Sequence, residues 1–226
     1  MEIKSSIFFA IACCIALFFL SLPCFAYKSC GSGEVKTIQM EASKGEMSKV
    51  DVRFCPGGEV GHVSVSMFTG KNKQQYRFDV DNQAYSVSID PEVDLKHGGG
   101  RSVGISNGRG RSGDGMWYWI FDKKTKLFKY AGEAPRLQSS KTKSGTFFAI
   151  ESGSGEVQST RYNYRLKNDR LTMVGAIKFI PVEEEYEISV MTCSSDLRCW
   201  EVKRLKNVSE ERVQRCMNGT DDCEKS

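Results

Sequence analysis

Apolar and polar positions alternate with a period of two along most of this chain. The alternation is clean over Val50-Asp51-Val52-Arg53-Phe54, Val63-Ser64-Val65-Ser66-Met67 and Tyr76-Arg77-Phe78-Asp79-Val80. It resumes at Tyr85-Ser86-Val87-Ser88-Ile89, at Tyr162-Asn163-Tyr164-Arg165-Leu166, over residues 171–179 and at Tyr186-Glu187-Ile188-Ser189-Val190. Successive side chains of a strand point to opposite faces, so the pattern predicts antiparallel strands with one face buried and one wet. Residues 34–42 and 46–55 read as a hairpin around Ser43-Lys44-Gly45, and residues 188–193 and 199–205 as another around Ser194-Ser195-Asp196. The separators Pro56-Gly57-Gly58, Gly70-Lys71-Asn72, Asp81-Asn82 and Lys167-Asn168-Asp169 carry turn chemistry. Only residues 209–217 read as a helix, with Ser209 as N-cap and Glu210 and Glu211 near the positive end of the dipole. The expected fold is all-β and antiparallel, an irregular propeller-like arrangement or sandwich of about a dozen short strands, with one short C-terminal helix.

The N-terminus breaks this pattern. Residues 7–22 form an almost unbroken apolar run that ends at Pro23, and Cys24-Phe25-Ala26 places small residues at −3 and −1 before Tyr27. A membrane-spanning helix needs about 20 apolar residues. Residues 1–26 therefore read as a signal peptide that is removed, leaving 27–226 as a single disulfide-stabilised β domain, periplasmic or secreted and not membrane-spanning. Cys13, Cys14 and Cys24 leave with the signal; Cys30, Cys55, Cys193, Cys199, Cys216 and Cys223 remain. An even set in an exported chain predicts disulfides. The two hairpins set Cys30 beside Cys55 and Cys193 opposite Cys199, which leaves Cys216 for Cys223. Zinc is the rival, but the chain has no Cys-x-x-Cys pair and its two histidines lie far from the cysteines. The net charge of +4 is mild, permitting anionic partners without the profile of a nucleic-acid binder.

Candidate chemistry is sparse. Gly100-Arg101-Ser102-Val103-Gly104 matches the G-x-S-x-G of serine hydrolases, yet no helix follows and both His62 and His97 precede Ser102, the wrong order for a triad. Asp79-Val80-Asp81-Asn82-Gln83 and Asp94-Leu95-Lys96-His97-Gly98 sit where calcium loops occur, but ordinary Asx turns explain them better. No cofactor is expected, calcium being left open. Asp90, Glu92, Asp94 and Asp114 supply carboxylates, but one sequence shows no pairing across a cleft. Glu183-Glu184-Glu185 reads as a solvated run, and Asn207-Val208-Ser209 and Asn218-Gly219-Thr220 fit glycosylation sequons.

The most informative stretch runs from Asp94 to Tyr130. A basic, glycine-dense segment carrying Gly98, Gly99, Gly100, Gly104, Gly108, Gly110, Gly113 and Gly115 breaks into Trp117-Tyr118-Trp119-Ile120-Phe121. It reads as a protruding loop on a rigid aromatic strand, with Arg109, Arg111, Ser112, Gly113, Asp114, Trp117 and Tyr118 as candidate binding residues. The plainer reading has Trp117 and Trp119 facing one core and Tyr118 pointing outward. YWIFDKKTKLFKY, followed by SGSGEVQSTRYNYRLKNDRLTMV, resembles the periplasmic inhibitors of invertebrate-type lysozyme and the propeller-like immunity proteins against lysozyme-like toxins, over roughly residues 90–181. The resemblance implies an all-β fold and a Ser-Gly…Tyr loop that plugs the active-site cleft of a lysozyme-like hydrolase. Ser112-Gly113…Tyr118 matches that loop; Ser152-Gly153 or Ser154-Gly155 with Tyr162 is the rival. The expected function is inhibition by binding, without catalysis. Two alternatives stay open: an envelope hydrolase using carboxylates or Ser102, and an adhesion or polyanion-binding module using Lys96, Arg101, Arg109 and Arg111.

Overall fold

Alternating strands need a partner for each apolar face, and here the partners are other sheets. A computed structural model describes residues 35–57, 60–81, 85–96, 101–109, 114–141, 143–153, 158–194, 196–220 and 223, all within one compact unit, Ser32–Ser226. The first sheet takes β1 (Val35–Ser43), β2 (Glu46–Cys55), β3 (Val60–Thr69) and β4 (Asn72–Asp81) in that order. The second takes β5 (Ile89–Asp90), β6 (Ser102–Ser106), β7 (Gly115–Asp122) and β8 (Leu127–Pro135), again in chain order. The third runs through β9 (Gln138–Ser139), β10 (Thr146–Ser152), β11 (Ser159–Lys167), β12 (Arg170–Val182), β13 (Glu185–Cys193) and β14 (Cys199–Val208). Each sheet is an antiparallel meander, so sequential neighbours pair and the antiparallel all-β expectation holds. One helix, α1 (Glu210–Met217), follows the last strand.

The meanders stack face to face. Val50, Val52, Val63, Val65 and Met67 of the first sheet meet Trp117, Trp119, Phe121 and Phe128 of the second. The opposite face of the second sheet puts Met116, Tyr118 and Ile120 against Phe147, Ala149 and Tyr164 of the third. The far face of the third sheet receives Val213 and Cys216 of α1, which pack against Ile177, Phe179, Ile188 and Val190. β7 is therefore buried on both faces, which is why it reads as a continuous apolar run and not as an alternation. Burying each such side chain contributes roughly 1.5–3 kcal/mol relative to leaving it in water.

Three expectations change. The glycine-dense segment is not one loop, because Ser102–Ser106 within it forms the fully buried strand β6. Gly104 permits this: a Cβ there would lie 2.9 Å from the Tyr118 ring of the paired strand. Of residues 85–89 only Ile89 joins a strand; Tyr85 instead packs on Phe54 at 4.8 Å and donates its hydroxyl to the Ser106 carbonyl. Ser209 occupies the N-cap position in an extended conformation but makes no side-chain cap bond.

Cys193–Cys199 is a disulfide, as the hairpin geometry predicted, and Cys216–Cys223, the pair left over to close the tail, is another. Cys55 is also disulfide-bonded, and its expected partner, Cys30, lies outside the described residues together with the whole apolar N-terminal run. Among the described residues no helix is long and apolar enough to cross a membrane.

Candidate functional site

The β6–β7 connection is pinched at its base. The Asn107 N–H donates to the Gly115 carbonyl at 2.9 Å, and the Gly115 N–H donates to the Arg109 carbonyl at 2.8 Å. The Asn107 side-chain oxygen accepts from the Arg109 N–H at 2.9 Å, an Asx turn at the base of the connection. Glycine is required at Gly115, where a Cβ would fall 2.3 Å from that same oxygen and 2.7 Å from the Arg109 carbonyl. Gly108, at a φ of 69°, lies under the Tyr85 ring.

Glu133 of β8 holds this neck to the sheet. One of its carboxylate oxygens accepts from the Trp117 indole N–H at 3.2 Å and from the Tyr130 hydroxyl at 3.4 Å. The other accepts from the Arg109 guanidinium at 3.1 Å and from the Asn107 amide at 3.5 Å. Trp117 stands directly opposite Glu133 in the ladder, which is how one carboxylate gathers both the aromatic strand and the loop base. Burial, reinforced by the neighbouring Glu133 charge, pushes the Tyr130 phenol well above its ordinary range. On the loop's far side the Asp114 carbonyl accepts from the Arg136 N–H at 3.0 Å, while the Asp114 Oδ1 is buried without a hydrogen-bond partner.

The expected contact residues divide. Arg109 is exposed at the neck and Asp114 is half-buried; Arg111, Ser112 and Gly113 lie outside the described residues. Trp117 and Tyr118 are corrections, because both are fully buried. Tyr118 does point away from Trp117, as alternation requires, but the third sheet covers that side where water was expected. Its hydroxyl donates to the Pro135 carbonyl at 3.1 Å and accepts from the Leu137 N–H at 2.8 Å. Burial raises its phenol far above the ordinary value. Of the rival loop, Ser154 and Gly155 lie outside the described residues, while Gly153 closes a turn by donating to the Gln158 carbonyl at 2.7 Å. Tyr162 packs against the second core.

Other candidates fall into structural roles. Ser102 has no exposed surface, and its hydroxyl oxygen accepts from the Leu95 N–H at 3.2 Å, so it is a core residue and not an accessible nucleophile. Lys96 pairs with Asp169 at 2.8 Å, Arg109 with Glu133 at 3.1 Å, and Arg101 shares a hollow with Glu41, Glu92 and Asp94. These cations therefore form no single-sign patch. Among the described residues no three His, Cys, Asp or Glu side chains converge as a metal site would require. Glu133, Asn107 and Tyr130 were missed by sequence reasoning, because only the Trp117–Glu133 register brings them together. No family model, curated protein or solved structure matches this chain.

Proposed function

We propose that this chain is an exported, non-catalytic binding protein that inhibits a peptidoglycan-cleaving, lysozyme-like hydrolase by placing the β6–β7 loop in the enzyme's cleft. The observation that carries the reading is the pinned neck. A loop whose two ends are pinned beside a doubly buried strand loses less conformational freedom on docking than one with free ends. The antiparallel meanders agree with the fold implied by the resemblance over residues 90–181, and the disulfides suit an oxidising compartment.

The contact set narrows to Arg109, Arg111, Ser112, Gly113 and Asp114, with Trp117 and Glu133 holding Arg109 at the neck. Arginine and serine donors within residues 109–112 suit the paired carboxylates that glycan-cleaving enzymes carry. The test is inhibition of a panel of purified muramidases by residues 27–226. Arg109→Ala and Ser112→Ala are expected to weaken inhibition about tenfold or more at unchanged melting temperature. Glu133→Gln is expected to weaken it less, through a loosened neck. Full inhibition by all three variants, or cell-wall cleavage by the protein itself, would overturn the proposal.

A further inference from the structure

The outer face of the third sheet carries a cleft of about 420 Å³ beside α1. Gly175 is among its lining residues, and a Cβ there would lie 2.7 Å from the Met191 carbonyl of the paired strand. The ladder sets Asn163, Gly175, Thr192 and Trp200 opposite one another in a row across β11, β12, β13 and β14. The neighbouring positions on the same face bring Arg165 and Lys203 to the cleft wall.

Three features of this row point to one ligand chemistry. Trp200 lies beside the cleft, paired with the lining residue Thr192, and is 53% exposed, an unusual placement for an indole in a chain whose Trp117 and Trp119 are fully buried. Asn163 is 8% exposed, yet its Oδ1 is buried without a hydrogen-bond partner. A bare anion offers that oxygen nothing, whereas a hydroxyl donates to it. Described residues lining the cleft include arginine and lysine but neither aspartate nor glutamate, so the wall complements negative charge. A flat apolar platform, a hydroxyl-seeking amide and basic side chains together match a sugar ring bearing carboxylate or sulfate groups.

We propose that this cleft binds an acidic oligosaccharide, with the Trp200 indole against the sugar face, Asn163 and Thr192 on its hydroxyls, and Arg165 and Lys203 on its charged groups. The Cys193–Cys199 disulfide closes the hairpin that presents Trp200. The site lies on a different sheet from the β6–β7 loop and stands or falls separately.

Titration of residues 27–226 at low salt with an oligogalacturonate hexamer and with a heparin-derived hexasaccharide, followed by calorimetry, tests it. Saturable binding of at least one is expected, weakened about tenfold or more by Trp200→Ala and by Arg165→Glu, and weakened by added salt. The two probes distinguish carboxylate from sulfate sources. Chitohexaose, a neutral control, is expected to bind weakly, and Arg109→Ala to change nothing. Absence of saturable binding to both acidic probes, equal affinity in Trp200→Ala with an unchanged melting temperature, or complete displacement by inorganic sulfate would each overturn the proposal.

Discussion

Tyr118 shows how much one hydroxyl organises. It receives the Leu137 N–H and donates to the Pro135 carbonyl, tying β7 to the chain leaving β8. Tyr118→Phe leaves both main-chain groups without that partner in a buried setting, with an expected cost of about 1–3 kcal/mol. Thermal or denaturant unfolding measures this, and hydrolase inhibition should be unchanged, since the ring has no exposed surface. Gly104 is the complementary case. Alanine there would press into the Tyr118 ring and the Met116 methyl, 2.9 and 3.1 Å away. Neither residue announces its role locally: glycine in a glycine-rich run reads as loop, and a tyrosine two positions along an aromatic strand reads as surface. Both readings fail because the deciding atoms belong to a paired strand or to another sheet.

At the level of elements, legibility follows how many faces are buried. β2, β3 and β4 have one face more buried than the other, and their alternation placed them closely from the chain alone. β6 and β7 are covered on both sides, so period-two patterning carries no information there. The β13–β14 hairpin, by contrast, was visible in both its turn and its cysteines. β14 is an edge strand with Trp200 and Val202 largely exposed, held at its turn end by Cys193–Cys199. Closing so short a loop contributes about 2 kcal/mol by restricting the unfolded chain. Selective reduction is therefore expected to speed amide hydrogen exchange in β13 and β14 while leaving β7 protected, a difference readable by mass spectrometry.

Across the whole molecule, burial of phenols between layers makes stability sensitive to alkali. Tyr118 and Tyr164 sit in the core between the second and third sheets, and Tyr130 packs on the core between the first and second; all three phenols are raised above their ordinary value of 10. Above that pH the unfolded chain releases these protons while the folded chain keeps them. Stability is therefore full below about pH 10 and falls as pH rises beyond it. Melting temperatures measured from pH 8 to 11 should show this decline, and Tyr118→Phe should make it shallower. What the sequence by itself determined is the local grammar: antiparallel strands, their turns, the cysteine pairs of the last hairpin and tail, and a short C-terminal helix. Strand spacing and turn residues act between near neighbours, so they are written in consecutive positions. Only the tertiary structure decided which second faces are wet, that Trp117 and Tyr118 are both buried, that Glu133 bonds to the base of the β6–β7 connection, and that Asn163, Gly175, Thr192 and Trp200 share one row. Each of these depends on register and layer stacking between residues far apart in the chain, where burial is set by what packs on top and not by the residue's own neighbours.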